Sequence, residues 1–299
     1  MIYRQLGNTG VQVSELAIGT WQYRGGVEPL RAAIDLGINF IDTAESYGTE
    51  HIVGEAIRGL RERVFLASKI SPRHFRERDV IRAAECSLKQ LGTDYLDLYQ
   101  LHWPNYTVPI GETMSAMEQL VSSGKIRFIG VSSFTVAEFR RAQAALAKSR
   151  IVSNQVSYSL VDRQPEEGLL DYCNSNQVSL LAYSPLGSNF QNLRVADPDD
   201  ALGQVSQATG KTRAQVALQW CLSRPAVTAI FKANQVEHVR ENCAASGWEL
   251  KPDDLRLLET RIRHKRRSGT QQFARGLVRR AMQYGGLKLG NPTAADLKH

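Results

Sequence analysis

The feature that most constrains this chain is a rhythm in which an apolar, β-rich run is followed by a stretch of helical periodicity. Eight runs carry it: Leu16 to Ile18, Asn39 to Ile41, Val64 to Ala67, Leu96 to Leu101, Arg127 to Val131, Ile151 to Val152, Leu180 to Ala182 and Val227 to Ile230. Between them, patterns such as Pro29 to Leu36, Asp79 to Leu91, Ile110 to Val121 and Val136 to Leu146 place apolar residues at helical spacing. Near-continuous apolar strands are buried on both faces, as parallel strands covered by helices are. Eight such units predict an α/β fold, a closed (β/α)8 TIM barrel rather than an open doubly wound sheet. Ahead of it, Tyr3 to Leu6 and Gln12 to Leu16 flank Asn8-Thr9-Gly10 and predict a short N-terminal β-hairpin. The 299 residues are twice a usual domain, but one closed barrel takes about 250. No linker and no sequence-level repeat divides the body. The expected organisation is one barrel over 1–260 and a C-terminal extension over 261–299.

The formal net charge of +7 invites a nucleic-acid reading until it is mapped. From Arg261 to His299 ten Lys and Arg face one acid, Asp296, which leaves 27 basic and 29 acidic residues in the body, about −2. The basicity belongs to the tail, so no nucleic-acid partner is expected. Cys86, Cys173, Cys221 and Cys243 are scattered without a C-x-x-C pair, which excludes a disulfide framework and suits a reducing compartment. No apolar run of eighteen residues predicts a membrane span, and the Met1 to Gly7 opening lacks a secretory pattern. The cytoplasm is the expected location.

The strand ends carry the chemistry. The eight runs finish in Gly19-Thr20-Trp21, Asp42-Thr43, Ser68-Lys69, His102-Trp103, Ser132-Ser133, Asn154-Gln155, Tyr183-Ser184 and Lys232. Parallel barrel strands all point the same way, so these ends meet at one mouth, where barrel enzymes build their sites. One polar residue at a strand end is ordinary punctuation, whereas a full ring of functional types exceeds what turn chemistry needs.

These residues resemble the aldo-keto reductase family, from the Tyr3-Arg4-Gln5-Leu6-Gly7 opening to about Trp248. The stretch Gly37 to Gly48 is similar to the family's first signature, and Ser68-Lys69 and Leu101-His102-Trp103 match two later segments. The resemblance implies a catalytic tetrad of Asp42, Tyr47, Lys69 and His102. Reducing a carbonyl needs a hydride at carbon and a proton at oxygen. A free tyrosine, pKa about 10, is a sluggish donor at neutral pH, and the ammonium of Lys69 is expected to lower that value. Asp42 would hold Lys69 charged, and His102 would orient the carbonyl oxygen and donate to the developing oxyanion. Each residue taken singly has a plain structural reading: Asp42 a helix N-cap, Tyr47-Gly48 a turn, Lys69 a solvated strand end, His102 a core histidine. Together, in order at strand ends, they favour the tetrad. No metal is expected, since the remaining histidines show no paired ligand spacing.

The resemblance also implies NADPH, with NADH a weaker possibility. Ser132 and Ser133 stand where the family usually has Ser-Asn, and with Gln155 they match the residues that bond the nicotinamide carboxamide. Tyr183 matches the aromatic that stacks on the nicotinamide. Ser184, Pro185 and Leu186 resemble the loop touching the pyrophosphate, and Gly19, Thr20, Trp21 and Asp42 complete that side of the implied cofactor site. Lys232 and Ala233 match the 2′-phosphate segment, although Phe231 replaces its usual proline. His238 stands where some members carry arginine, and Glu241 and Asn242 match adenine contacts. The absence of G-x-G-x-x-G leaves a Rossmann dehydrogenase unsupported. Trp21, Tyr23, Tyr47, His102, Trp103 and Tyr106 are the candidate pocket for a small carbonyl substrate.

The reading is therefore NADPH-dependent reduction of aldehydes or ketones, with the proton from Tyr47. The alternative is a non-catalytic or weakly catalytic regulatory subunit of the same fold, like those that serve membrane channels. A further rival makes the basic tail an arm for nucleic acid or an anionic membrane. In the tail, Phe273, Leu277, Ala281 and Tyr284 fall on one helical face and Gly285-Gly286 would end the helix. That helix is expected to pack on the barrel near its open end and restrict bulky substrates.

Overall fold

The computed structural model describes residues 1–188 and 190–264. The expected hairpin forms from β1 (Tyr3–Gln5) and β2 (Gln12–Ser14), paired antiparallel. Its Leu6 and Val13 are fully buried and pack with Ala17, Phe40, Phe65 and Leu98, so the hairpin plugs one end of the barrel interior. Arg4 fastens it, donating to the carbonyls of Leu222, Arg224 and Val227 and to Glu15.

Eight strands follow: β3 (Leu16–Gly19), β4 (Phe40–Asp42), β5 (Phe65–Ile70), β6 (Leu96–Leu101), β7 (Ile126–Ser132), β8 (Ile151–Ser157), β9 (Ser179–Tyr183) and β10 (Val227–Phe231). Each pairs in parallel with its chain neighbour, and β10 closes on β3 to complete the (β/α)8 barrel. The strands reach further than the apolar runs. Lys69 pairs with Gln100 and Ser132 with Gln155, so Ser68, Lys69, Ser132, Asn154 and Gln155 lie inside strands rather than after them. Backbone pairing continues where hydrophobicity stops, because a ladder needs only N–H and C=O groups.

The helices among the described residues are α1 (Glu28–Asp35), α2 (Glu50–Ile57), α3 (Glu77–Leu91), α4 (Ile110–Ser122), α5 (Val136–Ala144), α6 (Leu169–Ser175), α7 (Phe190–Ala196), α8 (Ala201–Thr209), α9 (Arg213–Leu222), α10 (Val236–Cys243) and α11 (Pro252–Arg261). The α5 helix stops two residues before the expected Leu146. Helices α5 and α9 start in reciprocal capping boxes, Thr135 with Glu138 and Thr212 with Gln215. The main core lies between this helical layer and the outer barrel face. None of the described helices is long and apolar enough to cross a membrane. The expected tail helix over Phe273 to Tyr284 lies outside the described residues.

Alternation within the strands positions the site. Side chains two apart share a face, so Phe40 leads to Asp42, Ala67 to Lys69, Leu98 to Gln100 and then His102, and Leu181 to Tyr183. Apolar residues fill the lower interior, and polar ones crown it at the C-terminal ends.

Candidate active site

Lys69 is fully buried inside the barrel and Asp42 nearly so, with 3% of its surface exposed. The Lys69 ammonium donates to Asp42 Oδ2, to the Thr43 carbonyl at 3.0 Å and to the Tyr47 hydroxyl at 3.2 Å. Its three protons therefore have three acceptors. The Tyr47 oxygen lies 3.4 Å from His102 Nε2, and the two rings meet edge to face. All four residues of the expected tetrad form one connected chain, and Asp42 ends a strand rather than capping a helix.

Burial opposes the charge on Lys69, but Asp42 and then Tyr47 outweigh it and lift the ammonium above its ordinary pKa. The tyrosine corrects the expectation from sequence. Burial raises the Tyr47 phenol, Lys69 only partly offsets that rise, and the net direction is upward. Tyr47 is thus a protonated phenol at neutral pH. Burial, followed by the nearby Lys69 charge, lowers His102 to about 2. The neutral imidazole carries one ring N–H to share between Tyr47 and Ser46, whose Oγ lies 3.4 Å from Nδ1.

Other groups hold this chain in place. Asp42 Oδ1 accepts from Gln155 Nε2 at 2.8 Å and Gln100 Nε2 at 3.2 Å. Thr20, Thr43 and Thr49 join hydroxyls at 2.8 to 3.2 Å beside the Thr43 carbonyl that receives Lys69. Sequence reasoning missed Gln100 and the threonine cluster. Gln100 had a signal, a buried polar residue within an otherwise apolar run.

The expected cofactor residues divide into groups. Ser132 is buried, and Ser133 follows it at φ +59°, with its N–H donating to the Gln155 carbonyl. That left-handed conformation is one that asparagine adopts more readily than serine. Gln155 spends its amide N–H on Asp42, leaving its oxygen as acceptor. Tyr183 ends β9 half-buried, and Ser184 turns the chain sharply at φ +52°. A Cβ on Gly19 would meet Ile230 Cγ2 at 2.8 Å, so the first strand end admits no side chain there. Thr20 turns its hydroxyl into the threonine cluster rather than outward.

Leu186, Lys232, Ala233, His238, Glu241 and Asn242 come together around a cavity of about 650 Å³. Thr212, Arg213 and Ala214 at the start of α9, with Asn234 and Gln235, line it too and were missed. Their approach to Lys232 is tertiary and leaves no local mark in sequence. Phe231 continues β10 to its last residue and is fully buried.

Of the candidate substrate pocket, Trp21 is 41% exposed and Trp103 packs against His102 at 4.6 Å between centroids. Tyr23 departs from expectation. It is core-buried, its hydroxyl donates to the Gly26 carbonyl at 2.9 Å, and burial lifts its pKa to about 12. Tyr106 gives its hydroxyl to Glu138 at 2.6 Å. Among the described residues no cluster of His, Cys, Asp and Glu is arranged to hold a metal.

A closed parallel barrel with a buried Lys–Asp pair, a tyrosine and a neutral histidine at its mouth defines a class of oxidoreductase acting on carbonyl groups. The sequence profile of the Aldo/keto reductase family matches residues 15–262, and the chain belongs to that family. It is 39% identical over 259 residues to methylglyoxal reductase YeaE of Escherichia coli (strain K12), covering 83% of this chain and 91% of that protein. It is 32% identical to aldo-keto reductase YhdN of Bacillus subtilis (strain 168), covering 87% and 93%. Among solved structures, a Klebsiella pneumoniae aldo/keto reductase in complex with NADP and acetate superposes with a TM-score of 0.83 at 38% identity, covering 89% of this chain and 97% of that one.

Proposed function

We propose that this protein reduces aldehydes and ketones to alcohols with NADPH, Tyr47 delivering the proton. The observation that carries this is the connected chain Asp42–Lys69–Tyr47–His102, which runs from a buried ion pair to a half-buried tyrosine and histidine. The cofactor fits the residues present. A cavity of about 650 Å³ carries Lys232, Arg213 and His238 beside Glu241 and the buried Asn242. Lys232 forms no ion pair among the described residues, so its charge is available to a 2′-phosphate, which favours NADPH over NADH. Ser132, Ser133 and the Gln155 oxygen would hold the nicotinamide carboxamide, with Tyr183 against the ring. Gly19, Thr20, Trp21, Ser184, Pro185 and Leu186 would flank the remainder.

Bound there, the cofactor supplies a hydride. The protein does the rest. His102 offers its ring N–H to the carbonyl oxygen and turns it toward Tyr47. As negative charge grows on that oxygen, the Tyr47 hydroxyl gives up its proton, and Lys69 at 3.2 Å stabilises the phenolate that results. Asp42 keeps Lys69 charged while doing so. Trp21 and Trp103 supply an apolar wall that favours small carbonyls. One relative is named a methylglyoxal reductase, so 2-oxoaldehydes join aromatic aldehydes as first substrates to try. The scattered cysteines, all free thiols, suit work in the cytoplasm.

The test is NADPH oxidation with a carbonyl panel, wild type against Tyr47→Phe. Removing the acid while keeping the ring should cut kcat by about 10²–10⁴ with cofactor affinity kept. A variant within about threefold of wild type, far below that range, overturns the role of Tyr47. Cofactor binding without turnover of any carbonyl would favour a regulatory subunit instead.

A further inference from the structure

The cavity that holds Lys232 has a second strong cation on its wall, and that cation is already engaged. Arg213, the first residue of α9, reaches Asp200 with both terminal nitrogens. Nη1 bonds Oδ1, and Nη2 lies 2.8 Å from Oδ2. This two-pronged grip is the geometry by which arginine takes carboxylates and phosphates alike. The Asp200 carboxylate therefore occupies the fork as a phosphate would. Gly203, in the first turn of α8, leaves the space for the pair, because a Cβ there would collide with both Asp200 Oδ2 and Arg213 Nη2. Asp200 itself sits at φ +53°, a conformation that L residues adopt at a cost.

The wall carrying Arg213 is fixed relative to the opposite one. Gln215 of α9 donates to the Glu241 carbonyl of α10 at 2.9 Å, tying the helix of Arg213 to the helix that follows Lys232. The ion pair is weakly held by comparison. Side-chain exposure is 45% for Arg213 and 57% for Asp200, and water-screened pairs of this kind contribute little. Lys232 is a point charge, whereas Arg213 offers a planar fork. His238 is occupied with Glu241, 3.6 Å from its Oε2.

We propose that Arg213 is a cofactor-specificity residue. It exchanges Asp200 for the 2′-phosphate of NADPH, and Asp200 is a built-in competitor that sets how strongly the phosphorylated cofactor is preferred. The proposal rests on the NADPH reading above. NADH has no 2′-phosphate to displace the carboxylate, so it leaves the pair intact.

The experiment is fluorescence titration of the wild-type protein, Arg213→Met and Asp200→Asn with NADPH and with NADH, without substrate. Arg213→Met should weaken NADPH by about ten- to hundredfold and change NADH by less than about twofold, well inside that range. Asp200→Asn should tighten NADPH, by up to about fivefold, and leave NADH unchanged. Arg213→Lys, which keeps the charge and loses the fork, should fall between. A role confined to joining α8 and α9 predicts that breaking the pair from either side has the same effect. Equal weakening of NADPH by Arg213→Met and Asp200→Asn, or equal losses for both cofactors, overturns the proposal. Thermal melts of each variant show whether it is folded, and Arg213→Lys supplies the comparison if Arg213→Met is not. Failure of the wild type to bind either cofactor would instead refute the proposed function, a different result from wild-type binding that ignores Arg213.

Discussion

Replacing Asp42 by asparagine removes the one carboxylate that, among the described residues, is bonded to the fully buried Lys69 ammonium, while keeping the shape of the side chain. Lys69 has no exposed side-chain surface and Asp42 only 4%, so neither charge can turn to water. Stranding one partner of a buried pair costs about 3–5 kcal/mol. The ceiling comes from the alternative open to Lys69, which is to shed its proton. Holding a lysine of ordinary pKa about 10.4 neutral at pH 7 costs about 5 kcal/mol, so the loss cannot greatly exceed that. Urea denaturation at pH 7 should therefore show Asp42→Asn about 3–5 kcal/mol less stable. Asp42→Asn with Lys69→Met removes the stranded charge and should recover at least about 2 kcal/mol of the loss, without recovering activity. A loss below about 1 kcal/mol for Asp42→Asn, the range of exposed pairs, would refute the reasoning. So would a double variant less stable than the single one.

The His102 imidazole, held near 2 by burial and Lys69, should leave no acidic limb in kcat between about pH 5 and 8, where an ordinary histidine titrates; a limb that His102→Asn abolishes would contradict this. The same shift has a stability consequence. The unfolded chain binds a proton at His102 near pH 6.5 and the folded one does not, so stability should fall as pH drops below about 6.5, by up to about 1.4 kcal/mol per pH unit from this group. His102→Asn should flatten that slope in urea titrations. Gly54→Ala should cost about 1–3 kcal/mol in denaturation, because its Cβ would lie 2.6 Å from the Leu91 carbonyl oxygen of the adjoining helix. Lys232→Met should weaken NADPH about ten- to hundredfold with NADH little changed, and equal losses for both would remove its role as phosphate reader.

Much of this site is legible in the sequence because a barrel converts strand ends into one face. Asp42, Lys69 and His102 stand out as polar residues closing apolar runs, and period-two alternation puts each on the inner face. Gln100 was equally readable, lying two before His102 on the same face, but a glutamine within a run passes for part of the strand. Other details depend on packing between distant segments. Arg213 and Lys232 line one cavity only because α9 lies beside the strand end of β10, and Asp200 meets Arg213 only through the turn before α8. Tyr23 shows the converse: an aromatic near a mouth-forming strand end reads as pocket lining, yet its hydroxyl finds Gly26 and the ring goes into the core. The direction of the Tyr47 pKa was also beyond the sequence, because it balances burial against Lys69 and burial depends on the finished fold.

The central claim is that a carbonyl carbon receives hydride from the cofactor while Tyr47 protonates its oxygen. It is tested most directly with NADPH carrying deuterium at the transferable C4 position and a small aldehyde, followed by mass analysis of the alcohol. The account predicts one deuterium on the former carbonyl carbon per NADPH consumed by the wild type, and a collapse of that labelled product with Tyr47→Phe. Alcohol formed without the label, or labelled product at an undiminished rate from Tyr47→Phe, would contradict it.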